Sequence, residues 1–266
     1  MTNLRPPFKI HGGKRYLSSW IIENFPKEVP PTYIEPFAGA ASVLLNKNIS
    51  SMEILNDIDP GVVSIFKTLR DEPEEFIKKL RHTTYSERVF QREFKKNQQE
   101  YNTQFECAIN EFIVRRMSRG GLKKNFSWSD RKRGGQPGEV NAWETIIKHL
   151  PEVSERIKNV FTSNEPAIKV IKAFNNDDTL CYVDPPYVPE TRVSKDAYEF
   201  EMTTDDHIEL GKTLKNFKGK VILSGYPSTL YKRLYKEWRC VKKKVANHSS
   251  QQKTKNIKLE CLWMNY

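Results

Sequence analysis

"TLCYVDPPYVPE", residues 179–190, decides the fold because its two halves obey different rules. The run Thr179-Leu180-Cys181-Tyr182-Val183 is apolar, β-branched and aromatic, the composition of a buried strand. Pro185 and Pro186 have no N–H to give to a ladder, so pairing stops at Asp184. A buried strand therefore ends on a carboxylate, followed by a rigid turn and the ring of Tyr187. An acid and an aromatic held stiffly at a strand's C-terminal end suit a ligand, because open α/β sheets bind theirs at that edge.

Outward from this stretch, strands and helices alternate. Strands are expected at 33–37, 51–55, 159–162, 179–183 and 220–224. Helices are expected over "ASVLLNK" (41–47), 61–70, 167–174, 204–217 and near 228–237. The runs 239–246 and 257–263 read as antiparallel edge strands. Such repetition implies an α/β, doubly wound, Rossmann-like, mostly parallel sheet. The alternation lapses after the helix at 61–70, for roughly a hundred mostly helical and polar residues. There Phe105, Ala108, Ile109, Phe112 and Ile113 mark one stripe of a helix, and Trp143, Ile146, Ile147 and Leu150 another. A structureless loop of about a hundred residues is improbable in a compact chain. The expected organisation is a catalytic domain from 1–60 and 159–266, with a mostly helical target-recognition domain inserted at 61–158.

Composition narrows the function. The chain has 266 residues, 44 Lys and Arg against 33 Asp and Glu, and a net charge of +11. An excess of that size favours an anionic partner, nucleic acid before an acidic membrane. No apolar run is long enough to span a bilayer, and the N-terminus lacks a signal-like apolar core. Four cysteines without close pairing or histidine neighbours read as reduced cytoplasmic thiols, with no metal site.

Three further motifs fall on the same sheet edge. In "EPFAGAA" (35–41) Gly39 lets backbone approach a ligand closely, although a plain tight turn explains it equally. In "LNDIDP" Asp57 closes the second strand, where a carboxylate can accept both hydroxyls of a ribose, or can cap a helix. In "FKIHGGKRYL" (8–17) a Gly12-Gly13 turn stands beside Lys14, a pairing suited to a carboxylate or phosphate.

FKIHGGKRYL, YIEPFAGAASVLLNK, LNDID and YVDPPY, in that order and with a long insertion before the last, resemble the Dam-type DNA adenine-N6 methyltransferases. The resemblance implies S-adenosyl-L-methionine as cofactor, S-adenosyl-L-homocysteine as product, and no metal. It places the methionine moiety near Ile10, Gly12, Gly13 and Lys14, with Glu35, Pro36, Phe37 and Gly39 beneath the cofactor. Asp57 and Ile58 would meet the ribose side, Asn164 the adenine, and Asp184 the boundary between cofactor and target. Ile10 departs from the family where an aromatic is frequent, and "FAGAA" carries alanine where a second glycine is usual.

The chemistry expected of Asp184, Pro185, Pro186 and Tyr187 follows from the substrate. The exocyclic amine of adenine is a poor nucleophile because its lone pair is delocalised into the ring. The Asp184 carboxylate and the Pro185 carbonyl would each accept one N–H and offset charge growing on that nitrogen during in-line transfer. Tyr187 would stack on a flipped-out base, and the prolines would hold the geometry. Tyr198 lies in a polar segment that resembles the family's mobile loop.

The stretch 115–135, "RRMSRGGLKKNFSWSDRKRGG", interleaves glycines and aromatics with Arg116, Arg119, Lys123, Lys124, Arg131, Lys132 and Arg133. Phosphate contacts would supply affinity, and Arg116 and Arg119 are the candidates for reading guanine edges. The sequence thus points to a site-specific DNA methyltransferase acting on adenine N6 in double-stranded DNA, cytoplasmic, with a cognate restriction endonuclease as a second candidate partner. Cytosine N4, an RNA adenine, and a silent DNA-binding protein of this fold are the alternatives. Asp rather than Ser before Pro-Pro-Tyr favours adenine.

Overall fold

The computed structural model describes residues 4–96, 101–133, 135–191, 200–246 and 257–266. In chain order its elements are helix α1 (Ser18–Glu23), strands β1 (Thr32–Glu35) and β2 (Met52–Asn56), and helices α2 (Pro60–Asp71), α3 (Pro73–Arg81), α4 (Glu87–Phe94) and α5 (Gln104–Met117). The short strands β3 (Lys132–Arg133) and β4 (Gln136–Pro137), helix α6 (Gly138–Ile157), strand β5 (Phe161–Ser163) and helix α7 (Ala167–Ala173) follow. Strand β6 (Thr179–Val183), helix α8 (Thr204–Lys215), strand β7 (Lys220–Gly225), helix α9 (Thr229–Leu234) and strands β8 (Arg239–Ala246) and β9 (Ile257–Met264) complete it.

The main sheet runs β5-β2-β1-β6-β7-β9-β8. Strands β2, β1, β6 and β7 are parallel neighbours, whereas β9 is antiparallel to both β7 and β8. The chain steps outward in one direction through β1, β2 and β5, then in the other from β6, so the order reverses between β1 and β6. That is the topological switch point where doubly wound sheets bind ligands. Of the two expected edge strands, only β8 is an edge; β9 lies inside the sheet.

The chain divides into two compact units. One comprises 19–38, 49–58 and 163–266 and holds most of the sheet. One face of its sheet packs against three helices. Ile34, Ile54, Cys181, Val183, Val221, Leu223, Cys261 and Trp263 pack with Val170 and Ile171 of α7, Leu210 and Leu214 of α8, and Leu230 and Tyr231 of α9. By the two-residue period of a strand, the opposite face carries the buried Leu180, Ile222, Leu262 and Met264 together with Tyr33, Glu35, Tyr182 and Glu260, and the next positions in register are Asp184 and Ser224. Helix α8 starts with a capping box, in which Thr203 and Asp206 exchange bonds, the side chain of Thr203 accepting from the Asp206 amide at 3.2 Å.

The other unit comprises 1–18, 39–48 and 59–162, so it contains the whole expected insertion together with two further segments. Aromatic rings form its centre: Phe112 lies edge-on to Phe76 at 5.6 Å and to Trp143 at 5.7 Å. The two sequence stripes are buried, Ala108, Ile109, Phe112 and Ile113 on α5, with Phe105 at its start half-buried, and Trp143, Ile146, Ile147 and Leu150 on α6. Asp59, not Asp57, caps α2, accepting from the amides of Gly61 at 2.8 Å and Val62 at 3.3 Å. Arg115 reaches back to Asp59 at 2.5 Å and to Glu111 at 3.0 Å, with all three side chains nearly inaccessible. Burial of such a group is tolerable only because each charge is paired.

The helix expected over 41–47 does not form. Single helical turns are present, with the Leu45 amide donating to the Ala41 carbonyl and that of Lys47 to Val43, both at 3.0 Å. Gly39 at φ 49° and Ala41 at φ 54° break the right-handed run at its start. Ala41 thus adopts a left-handed conformation at the "GAA" turn, where glycine would do so without steric cost.

Candidate active site and nucleic-acid surface

The sheet places its polar strand ends in one row. Asp184 follows β6 one step beyond the Val183–Leu223 register pair, so Ser224 of β7 stands beside it. The Ser224 hydroxyl donates to Asp184 Oδ1 at 2.7 Å, and the Tyr182 phenol lies 3.3 Å from the same hydroxyl. Burial, with the Asp184 charge next in importance, pushes the Tyr182 phenol well above its usual range. Tyr182 therefore stays protonated.

Tyr187 is buried. Its hydroxyl donates to Oε1 of Glu260 on β9, and its ring lies edge-on to Tyr226 at 4.3 Å. Lys258 Nζ sits 4.7 Å above the Tyr226 ring, which is half-buried. Pro185 is buried and Pro186 partly so. Tyr226 and Glu260 do not stand out in the sequence; the local signal for the first is the Gly225-Tyr226-Pro227 break after an apolar strand.

At the other side of the switch point, Glu35 ends β1 as a buried carboxylate accepting from the Tyr33 hydroxyl at 2.6 Å. Burial, then the Glu35 charge, raises the Tyr33 phenol well above its usual range. Asn56 joins three strand ends. Its Nδ2 donates to the carbonyls of Pro36 and Glu165, both at 2.9 Å. Its Oδ1 accepts from the Ser163 hydroxyl at 2.7 Å and the Glu165 amide at 3.0 Å. Every hydrogen-bonding group of that buried amide is satisfied, so the loops after β1, β2 and β5 are tied to one side chain.

Asp57, half-buried, follows Asn56 directly. Asn164 is exposed and donates through Nδ2 to the carbonyls of Asp57 at 2.8 Å and Ile58 at 3.0 Å. It thus shapes the loop that carries Asp57. Ile58 is exposed, and Phe37 is half-buried beyond β1. Glu35, Pro36, Phe37, Asp57, Ile58, Asn164, Asp184 and Tyr187 all belong to this unit.

Ile10, Gly12, Gly13, Lys14 and Gly39 belong to the other unit. The Gly13 amide donates to the Ile10 carbonyl at 3.3 Å, closing a turn around which Lys14, itself buried, donates to the Gly12 carbonyl at 2.9 Å. A Cβ on Gly39 would lie 3.6 Å from Ile10 Cδ1, so the structure brings these two predicted residues together.

The basic stretch divides sharply. Arg119, Lys124, Arg131 and Lys132 are exposed. Lys123 instead donates to Glu111 at 3.0 Å, and Arg116 is buried with Nη2 donating to the Ala142 carbonyl at 2.9 Å. Burial pushes the Arg116 guanidinium down to about 10, with Glu139 partly opposing the shift. These two cations are packed into the unit, which leaves Arg119 as the exposed arginine at the helix end. The loop is held from below: the Arg119 amide donates to the Asn125 carbonyl at 2.9 Å, and the Tyr85 hydroxyl to the Ser127 carbonyl at 2.5 Å. Trp128, at 78% exposure, stands among the exposed cations. Arg133 lies in β3, paired with Gln136 of β4. Tyr198 lies outside the described residues. Among the described residues no group of three or more His, Cys, Asp or Glu is placed to hold a metal ion, and no helix is long and apolar enough to cross a membrane.

A family model described as D12 class N6 adenine-specific DNA methyltransferase matches residues 11–255. The Type II methyltransferase M.MjaIII of Methanocaldococcus jannaschii is 26% identical, with the alignment covering 99% of each chain. The DNA adenine methylase of Vibrio cholerae is 24% identical, covering 89% of this chain and 86% of its own. That of Escherichia coli is 26% identical, covering 88% and 85%.

Proposed function

From the premise that this chain belongs to the D12 class of N6 adenine-specific DNA methyltransferases, we propose how its residues carry the transfer of a methyl group to adenine N6 in DNA. The observation that carries the reading is the position of Asp184, at the C-terminal end of β6 beside the switch point, on the sheet face that also carries Glu35 and Tyr182. A ligand at that edge meets a carboxylate held by a hydroxyl, not one turned to bulk water.

S-adenosyl-L-methionine, the donor that such a family uses, supplies a methyl group already activated on sulfur. The residues present fit it. Asp57 follows β2 at the sheet edge with its loop fixed by Asn56 and Asn164, as a ribose-binding carboxylate requires. Glu35 and Phe37 end β1, Gly39 begins the next turn, and Lys14 with the Gly12-Gly13 turn suits the methionine carboxylate. Asp184 and the Pro185 carbonyl each accept a hydrogen bond from one N–H of the amine and oppose the charge that develops on nitrogen. Tyr187 supplies the aromatic face for the extruded base, its orientation held by Glu260. Arg119, Lys124, Arg131 and Lys132 bind the duplex backbone and groove. The protein works in the cytoplasm, and a restriction endonuclease of the same recognition site is its candidate partner.

The test is methylation of an unmodified plasmid by the purified chain, with modified bases mapped by sequence. Methyl groups on adenine N6 at one short motif support the reading. Methylation confined to cytosine N4 or to RNA overturns it. Asp184→Ala should lower the rate on the order of a hundredfold or more while cofactor affinity falls modestly; near-normal turnover would remove Asp184 from the site.

A further inference from the structure

We propose that Ser224 is a positioning residue for methyl transfer, the middle member of a chain Tyr182–Ser224–Asp184 that sets the direction of the Asp184 carboxylate. The inference rests on the proposed role of Asp184 and adds Ser224 from a neighbouring strand and Tyr182 from the strand that leads into Asp184.

The chain is built by sheet register. Tyr182 and Asp184 are two residues apart on one strand and so share a face. The pairing Val183–Leu223 brings Ser224 level with Asp184 on the neighbouring parallel strand, again on that face. Ser224 is completely buried, and its hydroxyl is within bonding distance of both partners, 2.7 Å from Asp184 Oδ1 and 3.3 Å from the Tyr182 phenol.

Proton counting then gives the chain a polarity. A serine hydroxyl has one proton and a carboxylate has none to offer. If Ser224 donates to Asp184, Tyr182 must donate to Ser224, and burial keeps that phenol protonated. The donors therefore run one way, towards the carboxylate. A bond on Oδ1 from a strand-anchored hydroxyl limits rotation of the carboxylate about its Cβ–Cγ bond. The amine on which Asp184 acts needs a set direction more than an added charge, because in-line transfer loses rate steeply with misplacement. The Pro185-Pro186 turn fixes the backbone after Asp184, and Ser224 fixes the side chain.

The experiment compares Ser224→Ala, Ser224→Thr, Tyr182→Phe and the Ser224→Ala/Tyr182→Phe double variant with Asp184→Asn, using the full chain. Single-turnover methylation is measured at saturating S-adenosyl-L-methionine and plasmid, alongside cofactor affinity by titration and the thermal midpoint. Ser224→Ala should slow transfer roughly ten- to a hundredfold, the range for a hydrogen bond to a charged group, with cofactor affinity unchanged. Ser224→Thr, which keeps the hydroxyl, should restore most of the rate. Tyr182→Phe should cost less, and the double variant should be no slower than Ser224→Ala, because Tyr182 acts only through Ser224. An unchanged rate in Ser224→Ala overturns the inference. So do multiplicative losses in the double variant, or a slowing that threonine does not rescue and that follows the thermal midpoint. Should Asp184→Asn itself transfer at the normal rate, the underlying assignment of Asp184 fails; loss there with a normal Ser224→Ala condemns only the positioning role.

Discussion

The hydroxyl of Tyr187 donates to the buried carboxylate of Glu260, joining the residue after the double proline to a strand 73 positions later in the chain. The bond crosses from β6 past β7 to β9, so the antiparallel end of the sheet holds the aromatic of the motif. Removing the hydroxyl and removing the ring should therefore have different effects. Tyr187→Phe should destabilise the chain by about 1–3 kcal/mol, the cost of depriving a buried acceptor of a donor, while methyl transfer persists. Tyr187→Ala should lose transfer as well. Urea denaturation and a methylation assay on both variants separate the two roles.

Asp57 and Asn164 should divide cofactor binding from loop geometry. Asp57→Ala should weaken S-adenosyl-L-methionine binding and leave DNA affinity nearly unchanged, as titration with each ligand would show. Asn164→Ala removes two bonds to the carbonyls of Asp57 and Ile58. It should weaken cofactor binding less than Asp57→Ala, since the carboxylate remains. Equal loss of both ligands from Asp57→Ala would point to folding.

The basic stretch should respond according to burial rather than charge. Neutralising exposed Lys124 or Lys132 should lower DNA affinity uniformly. Each such change should also reduce the salt slope of log K by about 0.9, because one phosphate fewer is neutralised and its counterion stays in place. Arg119→Ala should cost about 1–3 kcal/mol at the cognate site and relax specificity there. Arg116→Ala and Lys123→Ala should act mainly on stability, since both side chains bond within the unit. Isotherms on cognate and scrambled duplexes at several salt concentrations check this; an unchanged slope in every variant would move recognition elsewhere.

Gly121→Ala should be severe for its size. Gly121 has φ 74°, and an added Cβ would fall 2.3 Å from the carbonyl oxygen of Lys9. Strain of about 1–2 kcal/mol for the left-handed backbone adds to the clash with main chain that cannot rotate away. The clash falls on the segment that leads into the Gly12-Gly13 turn. We expect a loss of stability of about 2 kcal/mol or more by thermal or urea unfolding, with both cofactor and DNA binding weakened together.

Local rules determined much of this protein. The period of the strands, the stop imposed by Pro185, the stripes on α5 and α6 and the mostly parallel, doubly wound class of the sheet were all legible, because each depends on residues close in sequence or on the alternation of elements along the chain. The region 41–47 was not. Its composition favours a helix, yet Gly39 and Ala41 adopt left-handed angles that break the run at its start, which propensity does not contain. Equivalent-looking cations were also indistinguishable in sequence: Arg116 lies in the last turn of α5 and Arg119 just beyond it, and only the packing of α5 against its neighbours buries the first. The bonds that complete the site are long-range, from Ser224 to Asp184 over 40 positions and from Asn56 to Glu165 over 109. A sequence names the Ser224 hydroxyl and the Asp184 carboxylate, but sheet register brings them to 2.7 Å, and register exists only once the strands have paired.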